Sequence, residues 1–125
     1  MHENEIAKIV VNTAYNLHKQ IGAGLVESAY ENALAFDLRG KGLKVAQQFS
    51  MPFIYIDVKL DVGDRLDLLV EDKLIVEIKS VDLLAPVHYA QTLTYLRLAN
   101  LKLGLLINFN TKFFKNGIHR LVNGL

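Results

Sequence analysis

The sequence contains neither cysteine nor tryptophan among its 125 residues. Without cysteine there can be no disulfide frame and no thiolate metal site, so a zinc centre would have to draw on the four histidines and on carboxylates. The default expectation is an intracellular chain. No apolar run approaches the roughly 20 residues that span a bilayer, and the opening Met-His-Glu-Asn-Glu is acidic rather than basic; both point to a soluble, cytoplasmic protein with no membrane partner. Internal repeats, low-complexity tracts and linkers are missing. So is a phosphate-cradling loop, because Gly22-Ala23-Gly24 lacks the preceding strand that a dinucleotide fingerprint requires.

Half of the residues are apolar and the net charge is +1, which excludes a disordered chain and any argument from overall basicity. The length suits a single domain over residues 1–125. The charge is nevertheless segregated: no acid follows Asp82, while Arg97, Lys102, Lys112, Lys115 and Arg120 do. Such a division suits a phosphate-binding surface beside an acidic metal site, and equally an ordinary solvated surface.

The most informative stretch is Arg65 to Ser80, RLDLLVEDKLIVEIKS, which reads as a β-hairpin. With Glu71 to Lys73 as a three-residue loop, Val70 faces Leu74 and Asp67 faces Glu77. Alternation then places Leu66, Leu68, Val70, Leu74, Val76 and Ile78 on one apolar face. The other face carries Arg65, Asp67, Leu69, Ile75, Glu77 and Lys79, with the two carboxylates roughly 5 Å apart at Cβ. Leu69 and Ile75 make that face apolar near the turn, so the hairpin should be buried on both sides. Facing carboxylates repel and are costly there without a cation. A salt-bridged patch with Lys79 is one way to offset this, and a hard divalent ion with oxygen ligands is another.

Around the hairpin, Ile6, Ile9, Val10, Ala14, Leu17 and Ile21 predict an amphipathic helix from about Asn4 to Gly22, with His18 at the surface or acting on the helix dipole. Leu25 to Arg39 predicts a second, with Tyr30, Leu34 and Leu38 on its inner stripe and Ala29, Ala33 and Phe36 beside it. Glu27 precedes Tyr30 by three residues and points inward with it, while also suiting the helix dipole as a first-turn acid. Val45 to Ser50 and Phe53 to Val58 read as strands, and Asp61 to Asp64 as a turn. Pro86 opens a third helix in which Val87, Ala90, Gln91, Thr94, Tyr95 and Leu98 share a face and His88, Gln91 and Tyr95 form a polar seam. Leu103 to Phe109 reads as a central strand reached by a right-handed crossover. Asn116-Gly117 then turns the chain into an edge hairpin that carries His119.

An Asp followed by Glu-x-Lys on the next strand resembles the active-site signature of the PD-(D/E)XK nuclease superfamily, with Leu66 where its proline would stand. Gly24-Leu25-Val26-Glu27-Ser28-Ala29-Tyr30 is similar to the segment that names the GxxExxY protein family, which is placed within that superfamily. The likeness continues through His88-Tyr89-Ala90-Gln91, Tyr95-Leu96 and Leu105-Leu106-Ile107-Asn108-Phe109. It implies an α/β (mixed α+β) fold with a restriction-endonuclease-like core, in which helices flank a mixed central sheet. It also implies a nuclease site using Mg2+ or Mn2+, with Asp67 and Glu77 as strand-borne ligands, Glu27 as the helix-borne acid and Lys79 as the catalytic lysine. Gln91 and Tyr95 resemble the Gln-x-x-x-Tyr element of RecB-type nucleases, with His88 and Tyr30 in support.

Two functions follow. The first is a metal-dependent phosphodiesterase acting on DNA or RNA, in which Lys79 plays an electrostatic role. The second is an inactive nucleic-acid- or protein-binding module that keeps the acids as an ion-pair network. In either case a chain this short leaves room for a second copy or a partner chain to supply specificity.

Overall fold

The first forty residues form two helices packed against each other, α1 (Glu3–Ile21) and α2 (Glu27–Gly40). In α1 the buried residues Ile6, Val10, Ala14 and Leu17 recur three or four apart and make one inward stripe. The helix stops at Gly22, whose φ of 78° suits glycine and whose N–H donates to the His18 carbonyl at 2.7 Å. In α2 the inward residues are Tyr30, Glu31, Leu34, Ala35 and Leu38, whereas Phe36 is exposed. A computed structural model of the chain describes residues 1–51, 53–55, 58–60 and 64–125.

Beyond the helices the chain builds a mixed sheet from β1 (Val45–Ser50), β4 (Arg65–Val70), β5 (Leu74–Lys79), β6 (Leu103–Asn108) and β7 (Ile118–Val122), in the order β1-β4-β5-β6-β7. Neighbours are antiparallel except β5 and β6, which are parallel and joined through α3 (Pro86–Ala99), as the apolar run of β6 predicts. Two short strands, β2 (Phe53–Tyr55) and β3 (Val58–Leu60), pair apart from this sheet. The strand expected over Phe53 to Val58 is thus divided; its Ile56 and Asp57, and Asp61 to Gly63 of the expected turn, lie outside the described residues.

Leu68, Val70, Leu74, Val76 and Ile78 join Leu103, Leu105 and Ile107 in the core shared with α1 and α2. Leu69 and Ile75 pack with Tyr95 and Leu96 of α3 on the other side, so the hairpin is apolar on both faces. Leu66 departs from the expected face and belongs to this second cluster. The β4–β5 ladder ends at Leu68 and Val76, while Leu66 stays paired with Phe49 of β1.

Two expectations are corrected. Of the face of α3 expected inward, Tyr95 is buried, but Val87, Ala90, Gln91, Thr94 and Leu98 are exposed; Thr92 and Leu96 join Tyr95 in the interior. Periodicity selects poorly on a helix with apolar residues on several sides, and a gap on β6 selects instead. A Cβ at Gly104 would lie 3.4 Å from both Leu96 Cδ1 and Thr92 Cγ2, so those side chains rest where glycine leaves space. His18 is buried rather than at the surface, because the β6–β7 connection folds over the end of α1. Its Nε2 lies 2.7 Å from the Thr111 carbonyl, and its ring packs against Phe109 and Phe114. Among the described residues no helix is long and apolar enough to cross a membrane.

The turn into β7 depends on Gly117. An added Cβ would lie 2.0 Å from the Asn108 carbonyl oxygen, a backbone atom that cannot step aside. Gly117→Ala should therefore cost on the order of 1–3 kcal/mol in urea denaturation. Gly40→Ala, with nothing within 4 Å of the new Cβ, should be neutral or slightly stabilising. Equal stability of the two variants would refute this account of the turn.

Candidate active site

The hairpin register is set at its far end. Glu71 and Asp72 take left-handed φ values of 53° and 56°, and Lys73 N–H donates to the Val70 carbonyl at 3.1 Å. Lys44 anchors this turn, its N–H donating to Glu71 Oε2 at 2.7 Å and its ammonium to Asp72 Oδ2 at 2.8 Å. Val70 consequently pairs with Leu74, Leu69 with Ile75 and Leu68 with Val76, the register expected from a three-residue loop.

One step further, Asp67 faces Glu77 and the pattern of bonding changes. Asp67 N–H donates to Glu77 Oε2 at 2.8 Å, and Ile78 N–H donates to Asp67 Oδ2 at 2.8 Å. Each strand thus offers a backbone donor to the other strand's carboxylate. The side chains replace ladder bonds, and the two acids are fixed at the end of the sheet.

The electrostatic consequence is large. Glu77 is only 4% exposed, and burial, with the charge of Asp67 second, raises its pKa to about 8. Burial also raises that of Asp67, against the opposing hydrogen bond from Ile78 N–H. Lys79, two residues beyond Glu77 and half-buried, favours the ionised form of both acids. Among the described residues it forms no ion pair within 4 Å; the pair Lys44–Asp72 is the one present. An ordinary salt bridge to Lys79 therefore does not offset the two acids.

The helix-borne acid beside this pair is Glu31, not Glu27. Glu27 is exposed in the first turn of α2, where its charge suits the helix dipole. Glu31, one turn deeper, is 9% exposed and contributes to raising both Asp67 and Glu77. It is joined to the strands through two glutamines that sequence reading passed over. Gln48 Nε2 donates to Glu31 Oε1 at 2.6 Å and to Asp67 Oδ1 at 3.3 Å, and Gln47 Nε2 donates to Glu31 Oε2 at 3.0 Å. Gln48 has a φ of 50°, outside strand geometry, so its reach between two acids comes with backbone strain. A signal for Glu31 existed: it is the one charge among Tyr30, Leu34, Ala35 and Leu38 on the inner stripe. Gln48 carried none.

Tyr95 is buried; burial, then the charges of Asp64, Glu77 and Asp67, raise its pKa to about 12, against a hydrogen bond with the exposed Gln91. His88 is not part of a seam toward the site: its Nδ1 accepts from Ala85 N–H at 3.0 Å and caps α3. Tyr30 supports from a distance. Its hydroxyl donates to the Gly22 carbonyl at 2.6 Å and accepts from Leu25 N–H at 3.2 Å, closing the α1–α2 loop. Ser80 Oγ donates to the Leu25 carbonyl, tying that loop to the end of β5. Asn108, opposite Lys79 on β6, binds Val81 through both ends of its amide, at 3.1 and 2.9 Å.

A buried carboxylate, Glu77, and a half-buried one, Asp67, both held toward neutrality, fit a hard divalent cation. Among the described residues, no three of His, Cys, Asp and Glu converge as a cation cage. Carboxylate oxygens are the ligands that hard divalent cations take. Asp67 and Glu77 are the residues that would hold it.

Because the folded-state pKa of Glu77, about 8, lies above its ordinary 4.5, the folded protein binds the extra proton between those values. Metal-free protein should accordingly lose stability as pH rises from about 5 to 8, and Glu77→Gln, which keeps an acceptor for Asp67 N–H, should flatten much of that slope. Thermal melts in chelator across this range test it; equal slopes in both proteins would place the titration elsewhere.

No match was found among the curated proteins or among the solved structures. The family model of the PD-(D/E)XK nuclease superfamily matches residues 4–121, a span that includes both helices of the first layer, the acidic hairpin and the parallel crossover. With Asp67 on one strand, Glu77 and Lys79 on the next and a mixed sheet between helices, the chain belongs to the PD-(D/E)XK nuclease superfamily.

Proposed function

We propose that the protein is a metal-dependent nuclease that hydrolyses phosphodiester bonds, and that within the superfamily it belongs to the GxxExxY group. The carrying observation is the Asp67–Glu77 pair, each acid held by the other strand's backbone, with Lys79 two residues along β5. Superfamily membership implies a nucleic-acid substrate and generally a divalent ion. The segment from Gly24 to Tyr30 supports the narrower assignment.

Asp67 and Glu77 hold the cation, Mg2+ or Mn2+, in this reading. Bound there, such an ion supplies Lewis-acid polarisation of the phosphoryl oxygen and lowers the pKa of a coordinated water. The Lys79 ammonium neutralises charge that builds on the phosphate oxygens as the attacking oxygen adds. Gln48 orients Asp67 and spaces it from Glu31, whose charge increases the negative potential around the pair.

Mg2+ should raise the melting temperature, and more at pH 8 than at pH 5.5, because the ion competes with the proton that Glu77 holds up to about pH 8. Asp67→Ala should remove the shift. A melting temperature indifferent to millimolar Mg2+ and Mn2+ at both pH values would end the metal reading.

Cleavage should be measured on labelled single-stranded and duplex DNA and RNA. Lys79→Ala should lose about 100-fold or more in rate while keeping the thermal response to metal. Glu31→Gln should slow cleavage, whereas Glu27→Gln should leave it near the parent value. No cleavage of any of the four substrates, or an active Lys79→Ala, would contradict the assignment.

A further inference from the structure

At the end of the sheet where β5 and β6 finish, the chain runs from Phe109, whose N–H donates to the Lys79 carbonyl at 3.0 Å, into the connection that covers the end of α1. There it forms a surface cavity of about 360 Å3 lined by Tyr15, His18, Lys19, Lys112, Phe113, Phe114 and Lys115. Three lysines and three aromatic rings line it, and no carboxylate does. Tyr15 and Phe113 are 50% and 56% exposed, so both rings are open to a ligand from solvent. Lys112 Nζ lies 5.5 Å from the Phe113 ring centre, so a cation and a π-face are presented together.

The cavity is built on firm supports. His18 Nε2 meets the Thr111 carbonyl at 2.7 Å and fixes the connection on α1. The Phe114 ring packs edge-on to Tyr15 at 6.0 Å and against Phe109 at 6.3 Å, and Phe109 stacks on Tyr30 at 4.5 Å. Tyr30 immediately precedes Glu31, so a continuous aromatic row links the cavity to the scaffold of the acidic site.

We infer that this cavity is a subsite for single-stranded nucleic acid, seating an unpaired base on Phe113 and Tyr15 and the adjoining phosphates on Lys19, Lys112 and Lys115. This rests on the nuclease reading for the strand's purpose, though not for its binding. Rings and cations side by side match the two faces of a single strand, its π-surfaces and its phosphates. A duplex hides its bases and offers phosphates alone. The volume falls at the small end of ligand pockets, about 300–1,000 Å3, suited to one or two nucleotides. The connection that lines the cavity leaves β6 just after Asn108, which pairs with Lys79 on β5, so a strand seated in the cavity starts from the end of the sheet at which Lys79 lies.

The test is fluorescence anisotropy in chelator with labelled oligo(dT), with a duplex of equal length and with poly-glutamate as competitor. Phe113→Ala and Tyr15→Ala should each weaken oligo(dT) binding roughly 5- to 150-fold and leave the duplex unaffected. Lys112→Gln and Lys115→Gln should each reduce the slope of log K against log salt by about 0.7. Absence of oligo(dT) binding by the parent, parental affinity in both ring variants, or equal displacement by poly-glutamate would overturn the subsite. If binding depends on Phe113 but the parent cleaves nothing with Mg2+ or Mn2+, the nuclease reading falls and the subsite stands. If Phe113→Ala binds oligo(dT) and cleaves with parental KM, the subsite alone falls.

Discussion

The exchange of hydrogen bonds between β4 and β5 through the Asp67 and Glu77 carboxylates is the constraint on which the rest of the structure depends. An antiparallel hairpin normally satisfies its backbone with its own ladder, and this one does so as far as Leu68 and Val76. Beyond them the acids take over, each accepting an N–H from the opposite strand at 2.8 Å. Two backbone donors only partly compensate the buried Glu77 and the half-buried Asp67, in line with the raised pKa of Glu77, about 8. The unsatisfied remainder is what makes the pair receptive to a cation. A hairpin optimised for stability alone would have continued its ladder with apolar residues.

Holding that strained arrangement requires support from all sides. Lys44 pins the turn at one end of the hairpin, and Ser80 and Asn108 tie down the other. Tyr30 closes the loop to which Ser80 is bonded, while stacking on Phe109. These contacts touch neither reacting group, yet they place the ends of β5 and β6 relative to α2. A site that must hold carboxylates within fractions of an ångström needs such a rigid surround.

Gln48 joins a third acid, Glu31, to the pair through its amide. The Gln48 amide lies between Glu31 and Asp67, occupying with neutral donors the space between two like charges. Its left-handed backbone is the visible cost of that position.

The strands of the five-stranded sheet, the hairpin register, the parallel crossover and the two-sided burial of β4 and β5 were legible in the sequence, because they follow from alternation, loop length and apolar runs, which are local; the division of Phe53 to Val58 was not. The Asp67–Glu77 pairing was legible for the same reason. Glu27 and Glu31 lie on the same face of one helix, so periodicity could not choose between them; what decided was depth along the axis, set by how α2 meets β1 and its glutamines. The inward face of α3 was decided by the gap at Gly104, on another strand. His18 was buried by a connection more than ninety residues away in the chain. Gln48 has no pattern to announce it, since its role exists only once β1 lies against β4 and its φ has turned positive. Local periodicity sets which way a side chain points from its own element, whereas what it meets there depends on elements remote in sequence.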